Sequence, residues 1–378
     1  MVNVGGKMRV LFFSDLHAHA FQAYSKLLPN GRNSRLQETL DILEEIRGLC
    51  NQFSVDGILF AGDMFHIRPG LGSMKIPTFN AVYDAIAKLK IGRKFVGLLV
   101  GNHDQGNKSG TEHSIHAFKS IVTVMDERTW YTFEANNEQI CVFAVPASTD
   151  LDGLRKDIGE AKNYLKPNED VVAKIMLGHL GIDGAEVGNN FRLRDDNVLS
   201  VGDLWPQDFD HVFLGDYHKP QKLASNVYYI GATHHHNWGD ANQRRRVLLW
   251  DTESHEIGDI PLRSTPMFVK MQWEETETAA PSEIEGNRIR VLHIGPRNNA
   301  DQNKVEATLV RLGASSVEFV REDDGQTIGN PETSTFTPSM DQESMIDAYV
   351  NSQDSDTDPD LLRRCGYAIF NKAMEGTE

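Results

Sequence analysis

Cysteine is scarce in this chain. The 378 residues hold three, Cys50, Cys141 and Cys365, far apart and in no Cys-x-x-Cys pair. That pattern argues against a disulfide framework and against a structural zinc site, and it suits a reducing, cytoplasmic setting. Long apolar runs are missing too. No stretch approaches the roughly 18 residues that a membrane span needs. The run Val10–Phe13, which follows Lys7 and Arg9, is too short for the apolar core of a signal peptide. Basic charge is in short supply: 38 Lys and Arg face 54 Asp and Glu, for a net charge of −16. That total looks wrong for a protein that handles nucleic acid. Its distribution changes the conclusion. Residues 274–285 carry five Glu and no base, and residues 321–360 carry eleven acids and one Arg. The excess acid therefore argues against a polyanionic substrate for the tail and says little about the rest.

What is present fits one large catalytic domain with smaller additions. The length is about twice that of a usual domain, and 40% apolar residues can bury a core. Residues 8–13, 57–61, 95–100, 140–145, 171–177, 211–214, 227–230 and 246–251 read as strands. Leu36, Leu40, Leu43, Ile46 and Leu49 fall at helical spacing, with Ser34 and Gln37 as a capping box. A second helix is expected over 77–89. The pattern is an α/β sandwich rather than a strict doubly wound repeat. Residues 274–286 have linker composition. After them, 287–294, 303–312 and 316–320 read as a compact β-α-β piece, too small to stand alone. Residues 321–340 are polar and linker-like, and 341–378 contain two helical stretches split by an acidic run.

The informative feature is the short polar word at the end of each strand. The first runs into Ser14-Asp15-Leu16-His17, the second into Gly62-Asp63-Met64-Phe65-His66 and the third into Gly101-Asn102-His103-Asp104. Later strands run into Gly178-His179 and Gly215-Asp216-Tyr217-His218. Sites in open α/β sheets form at the carboxyl ends of strands. Five such ends presenting carboxylate, imidazole and amide would build a cage for hard-to-borderline metal ions. In an extended chain residues i and i+2 point the same way, so Asp15 and His17 could share an ion, as could Asp216 and His218. The glycines before these residues suggest tight turns close to the metals. A carboxylate such as Asp63 can bridge two ions about 3.5–4 Å apart, the separation found in two-metal hydrolases.

These motifs, in this order, resemble those of the calcineurin-like metallophosphoesterases over about residues 8–265. They look most like the SbcD-type DNA double-strand-break repair nuclease subunits of bacteria and phages. Phe65-His66, Lys219-Pro220-Gln221, Tyr229-Ile230-Gly231-Ala232 and Gly239-Asp240 carry the narrower likeness. The resemblance implies a metallophosphoesterase β-sandwich flanked by helices, residues 1–265. A β-α-β capping domain (266–320), a linker (321–340) and a C-terminal helical segment (341–378) would follow. It implies two Mn²⁺ ions, with Mg²⁺ or another divalent ion possible. Asp15, His17 and His218 would hold one ion and Asn102, His179 and residue 216 the other, with Asp63 between them. His103 would protonate the leaving 3′ oxygen, Asp104 would orient His103, and His66 would help place the DNA end. The family's Gly-His-x-His has Asp at 216 here, a harder ligand that would change the metal preference. The expected partners are DNA, an SbcC-type coiled-coil SMC-like ATPase docked on 341–378, and a second copy in a homodimer, with no membrane. The setting would be a bacterial cell or a phage-infected host.

Other signals stay open. Thr233-His234-His235-His236-Asn237 could line the substrate path, lie on the surface or hold an extra metal. Arg244-Arg245-Arg246 could contact DNA phosphates or be a plain turn. His235 and Arg245 are the substrate-contact candidates from these runs. His19 and His113 read as local residues. Helices are expected near 77–89 and 112–122, and their Val82, Ile86, Leu89, Ile115 and Phe118 could form a dimer bundle or a core. The expected activity is 3′–5′ exonuclease on duplex ends with endonuclease on single strands and hairpins. The rivals are a stand-alone phosphatase or cyclic-nucleotide phosphodiesterase, and an inactive scaffold for the ATPase.

Overall fold

The computed structural model describes residues 8–69, 74–107, 110–164, 170–187, 191–192, 198–322 and 363. The expected linker at 321–340 lies outside them apart from its first two residues, and the C-terminal segment at 341–378 lies outside them apart from Arg363. Contacts divide the chain into Met1–His293 with Arg297–Val320 and a second unit formed by the remainder. The sandwich and its site belong to the first unit.

In chain order the strands are β1 Arg9–Phe13, β2 Gly57–Phe60, β3 Phe95–Leu99, β4 Thr123–Met125, β5 Thr129–Ala135 and β6 Glu138–Val145. Then come β7 Val171–His179, β8 Glu186–Val187, β9 Phe191–Arg192, β10 His211–Gly215, β11 Gln221–Ala224 and β12 Val227–Tyr229. The last are β13 Arg246–Asp251, β14 Ile257–Pro261, β15 Phe268–Gln272, β16 Arg288–Ile294 and β17 Ser316–Glu322. The helices are α1 Ser34–Gln52, α2 Ile76–Lys90, α3 Leu151–Ala161, α4 Pro281–Ile284 and α5 Asn299–Arg311. Two six-stranded mixed sheets result, ordered β14-β13-β1-β2-β3-β4 and β11-β12-β10-β7-β6-β5.

Period-two alternation explains why they stack as a sandwich. Leu11 and Phe13 of β1 pack with Ile58, Phe60, Val96 and Leu98 against Ile42, Ile46, Val82 and Ile86 of α1 and α2. Val10 and Phe12 point the other way, onto Ile140, Val142, Ile175 and Phe213 of the second sheet. The Phe12 and Phe213 rings stack with centroids 3.9 Å apart. The far face of the second sheet buries Phe143, Met176 and Val212 against Leu154 and Ile158 of α3. Strands covered on both faces are apolar throughout, which is why β1 to β3 were legible as continuous runs.

Three sequence expectations change. Asn33 caps α1, its side chain accepting the Arg35 and Leu36 amides, so no Ser34–Gln37 box forms. The cap sits one residue earlier because Ser34 is already helical and its hydroxyl bonds the Lys26 amide instead. Stretch 112–122 holds only a short 3₁₀ turn, His116–Ser120. Val82, Ile86, Leu89, Ile115 and Phe118 are all fully buried in this chain's own core, so none is free to build a dimer bundle.

The three-stranded sheet β15-β16-β17 carries α5 and buries a small core of Met271, Ile284, Ile289, Val291 and Leu309. Five buried residues stabilise such a piece poorly alone. Polar ties join it to the sandwich: Arg288 pairs with Glu38 of α1 at 2.5 Å, and Tyr24 donates to Glu318. Among the described residues no helix is long and apolar enough to cross a membrane.

Candidate metal centre

β1, β2 and β3 run parallel, as do β7 and β10, so their carboxyl ends bring the motif loops to one edge. The ends are sharp bends rather than extended chain. Asp15, His17, Asp63 and Asp216 all have positive φ, at 52°, 42°, 64° and 93°. Side chains other than glycine rarely adopt this conformation, and clusters of it mark functional sites. Asp15 and His17 therefore face one side through a left-handed turn, not through strand alternation as the spacing suggested. Two glycines show the crowding. Gly62 has φ +100°, and a Cβ there would meet His179 Nδ1 at 2.4 Å. At Gly101 φ is ordinary, yet a Cβ would lie 2.1 Å from Asp63 Oδ1. The need at 101 is close approach rather than a turn.

Asp63 stands at the centre. Its Oδ2 lies 3.4 Å from His17 Nε2 and its Oδ1 lies 3.4 Å from His179 Nε2. On the first flank the Nε2 atoms of His17 and His218 are 3.1 Å apart, and Asp15 Oδ2 is buried without a partner. On the second flank His179 Nε2 faces Asn102 Oδ1 at 3.2 Å and Asp216 Oδ1 at 3.7 Å. The rings are held from behind. His179 Nδ1 donates to the Ala61 carbonyl at 2.7 Å, and His218 Nδ1 meets Asp240 Oδ1 at 3.2 Å. A backing acceptor of this kind is how metal-binding imidazoles are fixed. In the sequence Asp240 is only part of a motif; nothing local there says it backs a histidine 22 residues away.

The electrostatics point the same way. Burial pushes Asp15 up, and it lifts Asp216 to about 6. Burial would raise Asp63 as well, but His179 holds it below its usual value. The His179 ring, penalised by burial, is raised well above normal by Asp63. Burial and the neighbouring imidazoles keep His17 far below its usual range. Asp15, Asp63 and Asp216 crowd together with the ring nitrogens of His17 and His218, and so many buried or half-buried ionisable groups side by side are costly unless cations intervene. Asp15, His17 and Asp63 offer ligand atoms within 4.8 Å of one another, as do His17, His218 and His236. The donors therefore fit divalent ions, and the two oxygens of Asp63 face two separate groups.

His103 and His66 border this cluster, their rings stacked 5.6 Å apart. His103 Nδ1 lies 2.6 Å from the His66 carbonyl. Asp104 does not orient His103. Its carboxylate accepts the amides of Asp63, Met64, Phe65 and Gly101 at 3.0–3.2 Å and so locks the Asp63 turn. Burial, with Asp63 adding to it, pushes Asp104 up to about 7.

The two substrate-contact candidates turn inward. His235 is 1% exposed; its Nδ1 accepts the Phe268 amide and its Nε2 donates to the Gln243 carbonyl. No ring nitrogen is left for a substrate, and the residue joins the loop to β15. Arg245 pairs with Asp240 at 3.0 Å and donates to the His218 carbonyl at 2.5 Å. The run 233–236 is buried rather than solvated, and His236 sits against His17 and His218. His113 is buried on Asp126, remote in role, while His19 is half-buried with its ring 5.6 Å from that of His66.

Comparison with known proteins adds the family. Residues 8–249 match the calcineurin-like phosphoesterase model. Phosphoesterase 078R of Invertebrate iridescent virus 3 is 25% identical over 235 residues, 60% of this chain and 62% of that protein. The SbcD component of the nuclease SbcCD of Bacillus subtilis (strain 168) is 23% identical over 288 residues, 66% of this chain and 67% of that one. The chain thus spans less than two thirds of the viral relative. A dimetal phosphatase from Danio rerio superposes with a TM-score of 0.37 at 9% identity, covering 68% of this chain and 99% of that one, too low to bear on substrate. Family members work through a pair of metal ions, the chemistry that the unshared donors at this sheet edge require. The chain belongs to the calcineurin-like phosphoesterase family.

Proposed function

We propose that the chain is a manganese-dependent DNA nuclease subunit of the SbcD type. It would act as a 3′–5′ exonuclease on duplex ends and an endonuclease on single strands and hairpins, with a coiled-coil SMC-like ATPase as partner. Asp15, His17 and His218 would hold one ion and Asn102, His179 and Asp216 the other, with Asp63 standing between the two groups. Bound there, the ions would polarise the phosphate and lower the pKa of the attacking water. The remaining work belongs to the chain. His103 donates Nδ1–H to the His66 carbonyl, which leaves Nε2 on the open side to protonate the leaving 3′ oxygen. The His66 ring, stacked on His103, offers a face for the DNA end.

One observation favours a polyanion over a small ester. A cleft of about 890 Å³ is lined by Lys219, Arg244, Arg246 and Lys270 together with Asp259. Because β13 runs antiparallel to β1 with Phe12 opposite Leu248, Arg246 falls level with Ser14, at the edge that carries Asp15. Arg246 is paired there with Asp259 and Lys219 with Glu186, so a phosphodiester backbone laid along the cleft would exchange with those carboxylates and meet Arg244 beside them.

The test is one assay. Purified protein with Mn²⁺ receives end-labelled duplex DNA, a hairpin and a small phosphodiester, alongside His103→Ala. Shortening of the labelled strand by the wild type alone is expected; hydrolysis of only the small ester rejects the nuclease assignment. Docking of the ATPase on 341–378 predicts that a chain ending at residue 340 loses the partner and keeps nuclease activity. The same proposal divides residues 1–320 into a catalytic part, 1–265, and a capping part, 266–320, and it has the chain act as a homodimer.

A further inference from the structure

His236 has no place in the ligand set assigned above, yet it lies within it. Its ring centroid is 4.9 Å from that of His17 and 5.0 Å from that of His218. One of its nitrogens lies within 4.8 Å of ligand nitrogens of both. The residue is 6% exposed. Nε2 is 3.2 Å from the Asp15 carbonyl. A carbonyl only accepts, so Nε2 carries the hydrogen and Nδ1 keeps a bare lone pair. That Nδ1 is buried without a hydrogen-bond partner. A buried acceptor left unused is costly, and such atoms call for an occupant.

The surroundings position His236 as they position a ligand. Its amide donates to Asp240 Oδ2 at 2.9 Å, while Oδ1 of the same carboxylate backs His218. Asp240 is held in turn by Arg245 at 3.0 Å. One buried carboxylate thus sets two neighbouring imidazoles. The opposite flank is built from other chemistry: Asn102 and Asp216 present oxygens, and His179 is its single imidazole.

We propose that His236 is an additional ligand on the His17–His218 flank, so that the two metal positions differ in kind. This rests on the ligand assignment made under the proposed function. The first position offers three imidazoles and Asp15, the second one imidazole among oxygens, and Asp63 lies between them. Imidazole suits Zn²⁺ and Co²⁺, whereas carboxylate and amide oxygens suit Mg²⁺ and Mn²⁺. The chain therefore selects a mixed pair, a nitrogen-preferring ion on the first flank and an oxygen-preferring ion on the second.

The test uses the full chain stripped of metal, as wild type, His236→Ala, His236→Gln and His17→Ala. Each is titrated with Co²⁺ and with Mn²⁺ by calorimetry, with ions bound per chain and the Co²⁺ visible spectrum as further readouts. The wild type is expected to take its first Co²⁺ more tightly than its first Mn²⁺. In both His236 variants that step weakens by about 10-fold or more, with an altered spectrum, while the other step holds. Gln can still bond the Asp15 carbonyl, so it decides the matter if the Ala variant folds poorly, and unfolding temperatures without metal report general damage. Unchanged affinity and spectrum in the His236 variants, with the tight step lost in His17→Ala, overturn this inference alone. If His17→Ala also titrates like the wild type, the ligand assignment falls with it.

Discussion

The two flanks of the metal centre share Asp63 but are supported in different ways. Behind the first, side chains do the holding: Asp240 backs His218, the His236 amide bonds Asp240, and Arg245 neutralises that carboxylate. Behind the second, backbone groups from distant parts of the chain do the holding. The Ala61 carbonyl fixes His179, and the Asp216 amide donates to Asp15 Oδ1 at 3.1 Å. One sheet edge can thus hold two groups of ligand-type side chains by separate means, side chains on one flank and backbone groups on the other. A change in the buried network should reach one flank, and a change of ligand should reach the other.

The largest expected effect comes from erasing what the flanks share. Asp63→Ala should lose both ions and all metal-dependent hydrolysis, measured as ions per chain and as turnover. One ion retained at full affinity would show that Asp63 serves a single flank. His103→Ala should lower kcat by about 10²–10⁴-fold, the usual worth of a general acid, with two ions still bound. An accompanying loss of metal would place His103 among the ligands.

Asp240→Asn should sharpen the contrast. It removes a carboxylate held well below its usual value, against the burial penalty, by the His218 hydrogen bond. One metal-binding step should weaken by about 10–100-fold. Stability should also fall by about 3–5 kcal/mol, because Arg245 would be left buried and unpaired. Equal weakening at both steps would erase the distinction between flanks. Asp216→His should produce the smallest change: two ions still bind, with the second shifted toward nitrogen-preferring metals.

The same residue gives a pH signature. Burial lifts Asp216 to about 6, above its unfolded value. The folded, metal-free chain therefore takes up a proton there before the unfolded chain does. From this group the metal-free chain gains stability as pH falls from about 6 toward 4 and loses it as pH rises through 6. Ion binding runs the opposite way, since a ligand carboxylate must be deprotonated. Mn²⁺ affinity should drop below pH 6 in the wild type, and that drop should change in Asp216→His.

The strands and most of the site were legible because each rests on a local pattern. Doubly buried strands must be apolar throughout, and ligands at strand ends leave short polar words such as Gly-Asn-His-Asp. The Asn33 cap was missed by one residue because Ser34, the more obvious hydroxyl, bonds Lys26 instead. Asp104 was misassigned because proximity in sequence to His103 says nothing about four amides from two loops. In the run of three histidines, His235 faces the capping sheet and His236 the metal centre. No periodicity in 233–237 separates those fates, since the loop is irregular.

Residue order alone puts carboxylate, imidazole and amide side chains after apolar strands, and hence at one sheet edge. That information is local: alternation, apolar runs and the residue types after them. Which groups stand behind those side chains, and that His236 lies beside His17 and His218, follows from packing alone. Those contacts link positions as distant as Asp15 and His236. They arise from how two sheets and a loop pack, and pairwise packing over such separations leaves no repeating signature along the chain.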